Sequence, residues 1–287
     1  MSLKLFKSFI ICASCIFFIG CTTTSYKAPS YWDHQSKAFN IAKAGHLNEG
    51  VRDTSVPKNI DSGIVGTAWD ATDLYVTYFS NPSLGLTSMG SLGLGLLAKA
   101  AGPEEEWERN GFIAWMPKTH QGMTFEEAKN EMDRIVIESS VIALKSFNIK
   151  AVYFGKSDKG EEVYTLVSDE YGCQAIGESS SCTLKFHMRV PQWEGESPDY
   201  LFSPTFDSIV FTSLNDIKKS SWIEINSPKT ARLPQKDIYT AISKELPEWA
   251  FIYLAPKKVK FEDGQVIPFP FMLNNGKPEF FVYPDKV

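Results

Sequence analysis

The sequence predicts an α+β fold, a mainly antiparallel sheet carrying a long helix over about 124–146 and a shorter one over about 235–245. Three observations carry that expectation. Residues 124–146 open with Thr124 and Glu127 in the spacing of a capping box, and they place Ala128, Met132, Ile135, Val136, Ile142 and the later Phe147 on one broad apolar face. Short β-branched and aromatic runs follow, divided by turn residues. Asn274-Asn275-Gly276-Lys277 lies between two apolar runs as a hairpin signal, and connections that short make the paired strands antiparallel.

In chain order, residues 32–44 read as a weak helix and 49–63 as a loop. Residues 73–79 (DLYVTYF) are a good strand. Residues 82–98 carry no charge but are interrupted by Gly85, Gly90, Gly93 and Gly95; on a helix, Thr87, Ser91 and Gly95 would form a stripe of small residues, open to membrane contact or self-association. Four glycines and a proline make that stretch poor material for a membrane span, so internal packing is the favoured reading. Pro103 with Glu104, Glu105 and Glu106 resembles an acidic helix start, which Asn110-Gly111 stops.

Beyond the long helix, strands are expected at 151–155, 162–167, 183–190, 208–212, 222–225, 249–254, 266–273 and 280–283. In the third of these Leu184, Phe186, Met188 and Val190 alternate with Lys185, His187 and Arg189, the pattern of a sheet with one wet face. The helix over 235–245 ends before Pro247. Pro268 and Pro270 place the 266–273 strand at a sheet edge, because neither can donate a ladder hydrogen bond. That edge could accept a partner strand, although its prolines protect it.

The first residues carry an address. Lys4 and Lys7 precede an apolar run from Phe9 to Ile19, too short for a permanent span, and Phe18-Ile19-Gly20-Cys21 closes it. This stretch resembles the lipobox of bacterial lipoproteins, with Phe18 where Leu is usual. The resemblance covers residues 1–21 alone. It implies cleavage before Cys21, acylation of its sulfur and amino group, and stable anchoring by the acyl chains. Thr22 follows in place of the Asp that tends to retain enteric lipoproteins in the inner membrane, which favours the outer membrane, facing the periplasm. The organisation expected is a signal over 1–20, a lipidated end and tether over 21–31, and a single α+β domain over 32–287, with a less regular sub-layer over 32–111.

Loss of Lys4 and Lys7 would shift the formal net charge from -5 to -7, and nothing suggests nucleic acid. Of the five cysteines, Cys12 and Cys15 lie in the signal and Cys21 is the lipid acceptor. Cys173 and Cys182 remain, and in an oxidising compartment they are read as a structural disulfide.

A search for chemistry yields little. His34, His46, His120 and His187 are dispersed, with no metal-ligand spacing. Gly90-Ser91-Leu92-Gly93 is not a nucleophile elbow. Asp70, Asp73, Glu194 and Glu196 are paired acids of the kind common in solvated loops, set against an acid/base reading for glycan hydrolysis. Trp193, Trp222, Trp249, Phe269, Phe271, Phe280 and Phe281 enrich the second half, and core outweighs binding surface as their explanation. No cofactor or metal is called for. The expected function is a non-enzymatic binding, scaffolding or assembly role in the envelope, held to the membrane by lipid, with an envelope protein or the cell wall as partner. The alternatives are an envelope hydrolase acting on glycan, peptide or lipid, and an oligomeric or pore-associated lipoprotein using 82–98.

Overall fold

The structure, a computed structural model, describes residues 24–47, 51–53, 110–174, 182–212, 220–228, 231, 233–255, 258–260, 266–268, 271–281 and 283. Along them run β1 (Thr24–Ser25), α1 (Lys37–Ala44), β2 (Gly111–Pro117), α2 (Phe125–Ser146), β3 (Lys150–Lys156), β4 (Glu162–Val167), β5 (Cys182–His187), β6 (Trp193–Glu196), β7 (Asp207–Phe211) and β8 (Trp222–Asn226). Then come α3 (Gln235–Glu245), β9 (Ala250–Leu254), β10 (Lys258–Lys260), β11 (Val266–Pro268), β12 (Phe271–Asn274) and β13 (Lys277–Phe280). The class is α+β with a mainly antiparallel sheet, as expected.

Phe112-Ile113-Ala114-Trp115-Met116 is an apolar run without polar alternation, which a strand can carry only if both its faces are covered. It forms β2, the centre of a sheet that has eleven strands among the described residues. Phe112, Ala114 and Met116 point into one core with α2 and α3, whereas Ile113 and Trp115 point into a second with α1, Val210, Phe251, Tyr253 and Met272. Helices α2 and α3 thus cover one face of the sheet, and α1 covers the other.

The registers explain the shape of the sheet. Ala114 pairs with Phe211 of β7 and with Ala250 of β9, so these lie on opposite edges of β2. Gly111 pairs with Tyr253 of β9 and with Trp222 of β8, so β8 continues the line of β7 along the same edge. The next rank is broken in the same way, β6 pairing with β7 and β5 with β8. Outside these lie β1 against β6, the sheet's parallel pair, and β4 then β3 against β5. On the other side β12 bridges β9 and β13.

A polar knot ties this junction together. The Tyr239 hydroxyl of α3 accepts from Asn110 Nδ2 at 3.1 Å and from the Ile225 amide at 2.9 Å, while Asn110 Oδ1 accepts from the Ala255 amide at 3.0 Å. Asn110, expected to stop a helix, instead satisfies buried backbone at the head of β2. Burial drives the Tyr239 phenol well above its ordinary pKa, so it stays protonated.

The capping box of α2 is formed: Thr124 Oγ1 accepts from the Glu127 amide, and the Glu127 carboxylate accepts from the Thr124 amide at 2.7 Å. The apolar face differs from expectation at one position. Ile142 is 54% exposed, while Ser139 and Ser140 are buried in line with Val136, Ala143 and Leu144. The helical period selects the serines, and Ser139 Oγ donates to the carbonyl of Glu245 at the end of α3.

Three further expectations are corrected. The tether over 21–31 does not hang free where it is described: Thr24 and Ser25 form β1, and Tyr26 is 4% exposed in the second core. The first helix begins at Lys37 rather than 32, because Ser36 caps it by accepting from the Phe39 amide. The 266–273 strand is two strands. Its second part, β12, has partners on both sides and is no edge, whereas Val266–Pro268 pairs with β10 in a separate ribbon. The hairpin turn at Asn275-Gly276 is present, with both residues at positive φ. Within 32–111 the described Ile41, Ala42 and Leu47 are buried in the second core with Ile113 and Trp115. Strand 73–79, segment 82–98 and the helix start at Pro103 lie outside the described residues, as do Phe269 and the signal.

Cys173 and Cys182 are disulfide-bonded, with Cα atoms 5.3 Å apart, and both are buried beside Leu166 and Leu184. The bond closes the connection from β4 to β5, a sequence separation of 9 residues. Replacing both cysteines by serine is expected to lower unfolding stability by about 2.5–3 kcal/mol in the chain-entropy picture, read as a shift of the urea midpoint; an unchanged midpoint would show that the staple is dispensable.

Candidate binding edge

Of the 266–273 stretch only Val266–Pro268 is an edge strand, and one edge of the large sheet is β3. This strand pairs with β4 on one side, and among the described residues it has no partner on the other. Its amide and carbonyl groups on that side, unpaired in any described strand, offer a template for a strand from outside. The composition KAVYFGK is apolar between two lysines. Tyr153 is 55% and Phe154 60% exposed, the largest exposures among the bulky apolar side chains of the sheet.

Local chemistry fixes these side chains. The register slips between Tyr153 and Gly155, so Phe154 is the extra residue of a β-bulge, and Gly155 takes φ +139°, a conformation that a side chain would strain. The bulge leaves residues 150–153 as the regular part of the edge. Tyr153 packs on Tyr164 of β4 with ring centroids 5.2 Å apart, and Tyr164 stacks on Phe186 of β5 at 6.1 Å, so an aromatic row leads from the edge to the core. Glu162 holds the row at its end, accepting from the Tyr153 hydroxyl at 3.0 Å and pairing with Lys156 at 2.9 Å. That carboxylate raises the Tyr153 phenol above its ordinary pKa and keeps it a donor. Helix α2 packs along β3, and its Val141 and Ile142 are also exposed.

The other candidate residues are scattered. His187, on β5, stacks with Trp222, and its Nδ1 lies 2.9 Å from the carbonyl of Gly160. A carbonyl only accepts, so Nδ1 carries the proton and Nε2 is the unprotonated nitrogen of the neutral ring. His46 sits between Trp193 and Tyr26, at 4.9 and 6.0 Å between ring centroids. His34 stacks on Trp32, and His120 is exposed beside Thr119 and Glu127. Glu194 pairs with Lys118 at 2.8 Å, a lysine also held by Asp207, and Glu196 accepts from the Thr205 hydroxyl. Asp70, Asp73 and Ser91 lie outside the described residues. Among the described residues no three His, Cys, Asp or Glu side chains gather where they could hold a metal. Phe271, Phe280 and Phe281 are buried in the two cores, with Trp249 and Trp193 packed against them, and Trp222 is buried beside His187.

The signal for the β3 edge was present in the sequence as Tyr153-Phe154 between lysines, but which strand ends a sheet depends on pairings far apart in the chain. No family model, curated protein or solved structure matches this chain.

Burial holds the imidazoles of both His46 and His187 below their ordinary pKa. The fold favours the neutral ring, so this contribution to stability is present above the unfolded value of about 6.5 and is lost as pH falls through the folded value. Urea midpoints are expected to fall between about pH 7.5 and about pH 5, and His187→Gln should remove part of that decline. Parallel pH profiles for the two proteins would show that His187 titrates as it does in the unfolded chain.

Proposed function

We propose that this chain is a lipid-anchored envelope protein with a non-enzymatic binding role, holding an extended segment of a partner polypeptide along β3. The observation that supports it most is the open edge at residues 150–153 with Tyr153 and Phe154 exposed beside it. Backbone pairing along such an edge contributes about 0.5–1.5 kcal/mol per hydrogen bond, and burial of an aromatic side chain about 1.5–3 kcal/mol, enough together for a specific contact. Lys150 at the start of the strand favours an acidic residue at one end of the partner segment, the charge of Lys156 being met by Glu162.

The lipobox-like start supports export and attachment through Cys21, and a buried disulfide suits the oxidising compartment beyond the inner membrane. Thr22 after the acylated residue favours the outer membrane, with the domain facing the periplasm. The sulfur and amino group of Cys21 would carry the acyl chains, and two or more such chains hold a protein stably.

A photo-crosslinking residue at position 154, compared with one at Arg134 on α2, tests the binding edge in cells. The site at 154 is expected to capture an envelope polypeptide that the site at 134 does not. The captured partner, purified, should bind the full-length chain with a Kd at least tenfold tighter than it binds Tyr153→Glu, while the two proteins melt at similar temperatures. Equal capture at both sites, or equal affinity for both proteins, would remove β3 as the binding edge.

A further inference from the structure

The beginning of the described chain is seated in the domain by several independent contacts. Thr24 and Ser25 pair in parallel with Trp193 and Glu194 of β6, and the Tyr26 amide donates to the Glu194 carbonyl at 2.7 Å. The Tyr26 side chain enters the second core, where its hydroxyl donates to the carbonyl of Ala44 at 3.0 Å and its ring meets those of His46 and Trp115. Gly195 makes room for it: a Cβ there would lie 2.4 Å from the Tyr26 carbonyl oxygen. The seat is built from β6, β2 and the end of α1, elements on which the second core depends.

Only Thr22 and Thr23 stand between Cys21 and Thr24. Three residue steps reach at most about 10 Å, against about 30 Å had the chain been free as far as residue 30. The headgroup layer of each leaflet is itself roughly 5–7 Å deep. Acyl chains on Cys21 begin at the hydrocarbon boundary, so the reach available is nearly consumed in crossing the headgroups.

From this we infer that the domain stands directly on the phospholipid bilayer in a fixed orientation, its β1–β6 edge against the headgroups. The inference rests on lipidation of Cys21. Because β1 runs parallel to β6 from Trp193, the chain reaches the membrane at the Trp193 end, beside exposed Gln192 and Val190. The membrane-facing surface is thus this strand edge and the segment that leads into β6. At the opposite edge of the sheet is β13, six strand spacings away through β6, β7, β2, β9 and β12, or roughly 29 Å.

The test uses the full-length chain purified with its acyl groups and reconstituted into vesicles of phosphatidylethanolamine and phosphatidylglycerol that carry a headgroup-attached nitroxide quencher. With Cys21 acylated and Cys173 bonded to Cys182, an introduced cysteine gives a single fluorophore site, at Gln192→Cys or Lys277→Cys. Quenching at 192 is expected to exceed that at 277 at least threefold, and ten Gly-Ser residues inserted between Thr23 and Thr24 should bring the two towards equality. Equal quenching without the insertion, or a threefold difference that survives it, would overturn the inference. Acyl labelling and vesicle flotation of the same preparation separate the two readings: without acyl groups the anchor fails and the orientation with it, whereas acylated protein with equal quenching loses the orientation alone.

Discussion

Everything in this fold is arranged around one strand that has no wet face. β2 buries Phe112, Ala114 and Met116 on one side and Ile113, Trp115 on the other, all within 2% exposure, and a strand of that composition is insoluble unless both layers are supplied. α2 and α3 supply one layer. The other comes from α1 and the residues that lead into it, so the first described residues are a structural part of the domain. The Asn110–Tyr239 knot sits where β2 meets β8 and β9, and it satisfies backbone groups that the change from β7 to β8 would otherwise leave bare.

The local features of the sequence were largely legible. The capping box of α2, the helix over 235–245, the strand over 162–167 and the turn at Asn275-Gly276 are found at or within a residue of the expected positions, because each is set by neighbours in the chain. The features set by distant pairings were not. β2 escaped notice because a fully apolar run has no period to read. Ile142 was assigned to the core on hydrophobicity, yet the helical period gave its place to Ser139 and Ser140. Position in the sheet was the hardest: Pro268 and Pro270 suggested an edge over 266–273, which holds for Val266–Pro268 in its ribbon but not for β12, enclosed by β9 and β13. β3 is a free edge among the described residues that the sequence did not mark.

For the candidate site the limit was of the same kind. Tyr153 and Phe154 read as ordinary strand residues, and only the pairing pattern exposes them. The disulfide was readable from the cysteine count and the compartment expected from the sequence, and it is present. The tether was misjudged because one aromatic among Thr, Ser, Lys, Ala and Pro looks like a lone residue, whereas Tyr26 has its own pocket between Gly195, Ala44 and Trp115. That correction bears on the proposed anchoring, since acyl chains on Cys21, as proposed, would lie only three residue steps from a seated strand.

The claim on which the account turns is that Thr24, Ser25 and Tyr26 belong to the folded domain. Hydrogen exchange on the full-length chain, resolved at the Tyr26 amide, measures this directly. Donation to the Glu194 carbonyl beneath a closed core predicts protection approaching that of the β2 amides. Exchange of Tyr26 at the rate of an unstructured peptide, with β2 still protected, would contradict it.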